Sequence, residues 1–218
     1  DNVKSGVCGP MSCALSLRDA GAFLRDLRKT PDDVHQLLKF SLECIKAWMK
    51  TVYDEFGCVC SIADPVSSMD LISKKNFDTF SKPYLVDLVN WTREYTGRSP
   101  SIHICGKSKK IWEDLKEIGF SSFSVDNCED LFELKQCLGD GMAISGNVPP
   151  VDVLKNGSPQ MTVQSVKECI EKAADSPQGF LLSAGCQIPL GTPKENLMAY
   201  IYAARTFGKN AVKGKGCM

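Results

Sequence analysis

Ser101-Ile102-His103-Ile104-Cys105-Gly106 is a short apolar run that breaks at a glycine; helix-patterned residues follow over 109–118, and a second such run comes at 121–125. Strand, helix and strand in that order is the unit of a parallel sheet, because two parallel strands need a long crossover and a helix supplies it. The decisive question is whether the rest of the chain repeats the unit.

It does so in both directions. Residues 6–8 read as a strand, the turn Gly9-Pro10 leads to a helical piece, and Thr30-Pro31-Asp32-Asp33 carries a helix start with threonine as cap and proline at the first helical position. Val34, Leu37, Leu38, Leu42, Ile45 and Trp48 then recur at helical spacing as far as about residue 56, where Gly57 stops the helix. A strand over 58–63, a polar loop over 64–73 and a long helix over about 76–95 lead to the opening stretch. Beyond it come a helix over 129–138, a strand over 142–145, a helix from Pro159 to about residue 174, a strand over 180–183 and a last helix that Thr192-Pro193-Lys194-Glu195 starts, with threonine as cap followed by proline. That makes about six strand-helix units in a single domain over 1–218, with no low-complexity linker between them.

Composition narrows the class. The chain has 218 residues, 43% of them hydrophobic, with 26 basic and 26 acidic residues, which suits one sizeable core and argues against nucleic acid as a partner. No apolar run approaches the roughly 20 residues needed to cross a bilayer, and no leader-like segment precedes the first strand, so the expectation is a cytoplasmic protein without a membrane partner. Eleven cysteines, an odd number spread through apolar segments, do not make a disulfide framework and point to a reducing setting. Cys44, Cys137 and Cys169 are expected to pack as small hydrophobes in helices, and Cys58-Val59-Cys60 as part of one buried strand.

The chemistry-bearing residues fall at strand ends. His103 and Cys105, at i and i+2 of an extended segment, point to one face of the sheet. Cys186 follows another apolar run, 179–183, in the same way. An imidazole and two thiolates favour zinc over magnesium or calcium, and three protein ligands leave a position open for substrate, as catalytic rather than structural zinc sites do. Taken singly, a histidine or a buried cysteine is more often structural, and it is the three together that point to a metal. The expected metal and catalytic set is His103, Cys105 and Cys186. Asp126, ending the next strand, is read as a fourth ligand, as a partner holding His103, or as a helix cap before Glu129. Asp64 and Asn147, also at strand ends, are expected at the site as ligand contacts, with turn chemistry as the competing reading. His35, in an amphipathic helix, reads as structural.

Four stretches carry a family resemblance: Gly185-Cys186 with Ile188-Pro189-Leu190-Gly191-Thr192-Pro193-Lys194-Glu195-Asn196, the loop Gly146-Asn147-Val148-Pro149-Pro150, Ile62-Ala63-Asp64-Pro65, and His103-Ile104-Cys105-Gly106. In this order, over nearly the whole chain, they resemble the uroporphyrinogen decarboxylase superfamily. The cysteines resemble its branch of corrinoid-dependent, methylcobamide:coenzyme M methyltransferase-like enzymes. The resemblance implies a TIM (β/α)8-type barrel, catalytic Zn2+ on His-x-Cys and a later Cys, and methylcobamide or cobalamin as methyl donor, with Asp64 and Asn147 at substrate or corrinoid contacts. Closure needs eight units. The expectation is therefore about the carboxyl-terminal two-thirds of the family domain, either a fragment or one part of a split enzyme. Unclosed sheet edges invite pairing, and a homo-oligomer is one way to cover them.

The implied function is methyl transfer from a corrinoid protein to a small thiol such as coenzyme M, with zinc lowering the thiol's pKa. Two alternatives stand beside it: the demethylating direction, on a methoxy or methylamine substrate, and a non-catalytic corrinoid-binding or scaffold subunit. Porphyrinogen decarboxylation is disfavoured, because the arginine-rich amino-terminal motif of those enzymes is absent from the chain.

Overall fold

The computed structural model describes residues 3–217. In chain order the elements are β1 (Gly6–Cys8), α1 (Pro10–Ser16), α2 (Ala20–Lys29), α3 (Pro31–Phe56), β2 (Ser61–Ala63), α4 (Lys74–Asn76), α5 (Lys82–Thr96), β3 (Ser101–Ile104), α6 (Trp112–Ile118), β4 (Ser122–Val125), α7 (Leu131–Leu138), β5 (Ala143–Val148), α8 (Pro159–Ala173), β6 (Phe180–Ala184) and α9 (Lys194–Phe207). The class is α/β, as the alternation predicts.

The chain divides into two compact units. The first runs up to Ile104 and includes Asp114–Ser121; the second takes Cys105–Glu113 and everything from Ser122 on. In the first, β1, β2 and β3 lie side by side in that order, β1 and β2 parallel with Val7 against Ile62, and β2 and β3 parallel with Ala63 against His103. Its core is built from Phe23, Leu38, Phe77, Leu85, Leu88 and Ile102, all fully buried. The 26-residue α3 begins at Pro31, carries Asp32 and Asp33 in its first turn and ends at Gly57, whose φ of 61° lies in the left-handed region that a side chain disfavours. Thr30 holds the cap position of α3 but its side chain makes no capping bond. His35 is structural: its Nδ1 meets the Tyr84 hydroxyl at 2.8 Å and its ring stacks on Phe80.

In the second unit, β4, β5 and β6 follow one another in the same parallel manner, with Phe123 against Ile144 and Asn147 against Ser183. Phe123, Leu131, Leu134, Leu138, Ile144, Val148 and Val166 form its core. α8 is capped by Ser158, which accepts from the Met161 N–H ahead of Pro159.

Several boundaries differ from expectation. The helix expected over 76–95 is α4, a π-helical turn over Phe77–Ser81 and then α5, because Pro83 cannot donate to the preceding turn. α7 starts at Leu131, not at 129, since Asp130 accepts from the Phe132 and Glu133 N–H groups and is the cap. β5 runs three residues further than the expected 142–145 stretch. Of the three helical cysteines, Cys169 alone is buried; Cys44 is exposed and Cys137 donates to Glu113 at 3.1 Å. Among the described residues no helix is long and apolar enough to cross a membrane.

Candidate metal centre

β3 alternates strictly: Ile102 and Ile104 are buried, while Ser101 and His103 are half-buried on the other face. Cys105, one residue past the strand, keeps the phase and shares that second face with His103. The Cys105 Sγ stands 3.4 Å from the Cys186 Sγ, across 81 positions of sequence. His103, Cys105 and Cys186 each offer a ligand atom, and these atoms all lie within 4.8 Å of one another. The three residues that spacing and residue type single out are thus brought together.

The electrostatics of the pair fit a divalent cation. Burial, then the neighbouring Cys186 sulfur and the carboxylate of Asp126, push the Cys105 thiol up to about 12. Two sulfurs in near contact in a half-buried place resist being charged together, and a soft cation between them reverses that penalty. Two thiolates on one tetrahedral zinc, with bonds of about 2.3 Å, sit about 3.8 Å apart. The observed 3.4 Å is near that and too long for a disulfide. The donor set therefore suits zinc, and an oxygen-seeking ion such as magnesium poorly.

Asp126 is not in the cluster. Its Oδ2 accepts from the Gly106 N–H at 2.9 Å and its Oδ1 from the Cys128 N–H at 3.1 Å, so the carboxylate ties the turn after β4 to the residue next to Cys105. It is not the cap of α7 either. Asn147 faces the same turn: its Nδ2 donates to the carbonyl oxygens of Asp126 and Glu129 at 3.1 and 2.7 Å. Asp64, expected at a substrate or corrinoid contact, is instead fully buried. Its Oδ1 accepts from the Ser12 N–H and hydroxyl at 2.8 and 2.6 Å, and its Oδ2 from the Ser67 hydroxyl at 2.9 Å. Burial pushes its carboxyl up from the usual range. Turn chemistry, the competing reading for both, describes only the Asp64–Ser67 bond; the Ser12 contacts of Asp64 and both carbonyl contacts of Asn147 join distant segments.

Sequence reasoning missed Glu129 and Gly185. Glu129 Oε1 accepts from the Ser108 and Lys109 N–H groups, the latter at 2.8 Å. Gly185 packs so closely on Asn127 that a Cβ there would lie 2.5 Å from the Asn127 nitrogen. A glycine directly before a candidate ligand was the one available signal.

Comparison with known proteins agrees with the architecture. Residues 2–207 match the family model described as Uroporphyrinogen decarboxylase (URO-D). A methylated-thiol:coenzyme M methyltransferase of Methanosarcina mazei is 27% identical over 197 residues, covering 90% of this chain and 51% of that protein. The methylcobamide:CoM methyltransferase MtaA of Methanosarcina barkeri is 30% identical over 202 residues, covering 92% of this chain and 57% of that one. A solved methyltransferase structure from Methanosarcina mazei superposes with a TM-score of 0.80 at 29% identity, over 93% of this chain and 58% of the other. The chain thus spans between half and three fifths of the length of these relatives.

Proposed function

The chain belongs to the uroporphyrinogen decarboxylase (URO-D) family, and from that membership we propose that it takes part in zinc-dependent transfer of a methyl group from a methyl-corrinoid to a small thiol such as coenzyme M. The observation that carries the reading is the meeting of Cys105 and Cys186 at 3.4 Å with a ligand atom of His103 within 4.8 Å. The proposed substrates are taken from relatives named as methylcobamide:CoM methyltransferases.

On this reading His103, Cys105 and Cys186 hold zinc, which supplies a Lewis acid that lowers the pKa of the acceptor thiol. Cys105 and Cys186 add two negative charges, so the acceptor sulfur keeps its electron density and stays a nucleophile. The acceptor thiolate attacks the methyl carbon of the methyl-corrinoid; a carbon–sulfur bond forms as the cobalt–carbon bond breaks, and both electrons of that bond stay on cobalt. A corrinoid protein is the implied partner.

A second reading keeps the site and changes the donor: one relative is named for methylated thiols, which supports a methylated small molecule giving its methyl to cobalt. Two assays decide. Purified protein should hold one zinc per chain, and methylcobalamin should lose its methyl group when coenzyme M is added. Demethylation of a methyl thioether by reduced cobalamin, with methylcobalamin inert towards coenzyme M, establishes the second reading in place of the first. Absence of both reactions and of stoichiometric zinc leaves a corrinoid-binding or scaffold role.

A further inference from the structure

We propose that Asn147 is a positioning residue for the thiol pair: it braces the turn after β4, and that turn holds the chain segment leaving Cys105. The inference rests on the zinc reading for its purpose, although the brace itself is a property of the polypeptide.

Asn147 lies near the end of β5 and is 8% exposed. Its amide has one allowed orientation. The nitrogen faces two carbonyl oxygens, those of Asp126 and Glu129, which only a donor can satisfy; the oxygen faces the Cys169 thiol at 3.8 Å, which donates to it. The turn so held turns both of its carboxylates to the same stretch of backbone. Asp126 accepts from the N–H of Gly106, and Glu129 from those of Ser108 and Lys109. Three of the four residues after Cys105 are thus fixed by two side chains whose own main-chain carbonyls are both gripped by Asn147. On its other side the turn packs Asn127 against Gly185, next to Cys186.

One asparagine therefore supports, through a single turn, the segments that carry both sulfurs. Its own side-chain bonds go to the Asp126 and Glu129 carbonyls and the Cys169 thiol, so it acts on Cys105 and Cys186 through the turn. Hydrogen bonds to carboxylates and to buried carbonyls are directional, so this linkage fixes distance and angle in a way that apolar packing alone does not.

The test uses the whole chain with Asn147→Asp, a side chain of the same size that sets an oxygen against both carbonyls. Two properties are measured: hydrogen exchange at the amides of Gly106, Ser108 and Lys109 in metal-free protein, and zinc release to a chromophoric chelator, with the cobalt(II)-thiolate absorption band as a report on ligand geometry. Faster exchange at those amides, zinc release accelerated by at least about tenfold as for other outer contacts of metal ligands, and a shifted cobalt band are expected. Glu129→Gln keeps an acceptor oxygen and should stay near wild type, whereas Glu129→Ala should reproduce the Asn147→Asp effect and carries the test if Asn147→Asp does not fold. Leu138→Ala, which weakens the core of α7 instead, should lower the thermal midpoint without moving exchange at the three amides relative to the rest. Wild-type exchange and wild-type release in both Asn147→Asp and Glu129→Ala overturn the proposal. A wild-type protein that binds no cobalt through sulfur overturns the zinc reading instead, and the exchange measurement still decides on the brace.

Discussion

Cys105 and Cys186 hold their sulfurs 3.4 Å apart from the ends of two different strands, β3 and β6. Neither belongs to a motif that would be recognised alone, and local structure prepares each separately. The strict alternation of β3 sets the face of Cys105. The small Gly185 lets the chain pass against Asn127 as it leaves β6 for Cys186.

Replacing Cys186 with serine should therefore have two effects. Zinc affinity should fall by well over about tenfold, since even outer contacts of metal ligands cost that much. In the metal-free protein the Cys105 thiol, which burial and then its sulfur neighbour hold up near 12, should titrate at lower pH once that neighbour is gone. Zinc content by elemental analysis and the pH profile of Cys105 alkylation measure these. Unchanged metal content in Cys186→Ser removes Cys186 from the ligand set.

The sequence was most legible where periodicity and residue chemistry act locally. The alternation over residues 101–105, the proline-led starts at Pro31 and Pro159 and the His-x-Cys spacing all depend on neighbours a few positions away, and the structure keeps them. Asp64, Asp126 and Asn147 were harder to read, because a polar residue after a strand looks the same whether it faces a ligand or the backbone of a distant turn. Their partners, Ser12, Gly106 and the carbonyl of Glu129, lie 52, 20 and 18 positions away. No local pattern encodes such pairings. The start of α7 differs for a smaller reason: the sequence reading offers Asp126 as the cap, whereas it is Asp130 whose side chain reaches the free N–H groups of Phe132 and Glu133.

Asp64 should govern a pH dependence of stability. It is buried among neutral donors, and burial raises its carboxyl above the usual range. A folded-state pKa above the unfolded one means that the folded chain binds the proton more tightly. The stability gained from that proton is complete below the unfolded value near 3.8 and is lost as pH rises through the folded value. Asp64→Asn, which cannot ionise, should flatten this part of the curve of thermal midpoint against pH. Asp64→Ala should cost about 2–4 kcal/mol at any pH, because it leaves the Ser12 N–H and the hydroxyls of Ser12 and Ser67 without their acceptor. A pH profile in Asp64→Asn that matches wild type would show that the group does not titrate in this range.

Gly185→Ala tests whether close packing beside a ligand matters to the metal as well as to the fold. The added Cβ would sit 2.5 Å from the Asn127 nitrogen and 3.1 Å from its Cα, both backbone atoms that no rotamer change can move aside. One of the two segments must shift. Overpacking of this kind typically costs about 1–3 kcal/mol. Either movement also disturbs the cluster: displacement of residue 185 carries Cys186 with it, and displacement of Asn127 pulls on the turn whose Asp126 holds Gly106. Zinc release should thus accelerate by more than the loss in thermal midpoint accounts for, when compared with a core variant of equal stability such as Val166→Ala. Equal release rates in the two variants would mean that the Asn127 contact serves the fold alone.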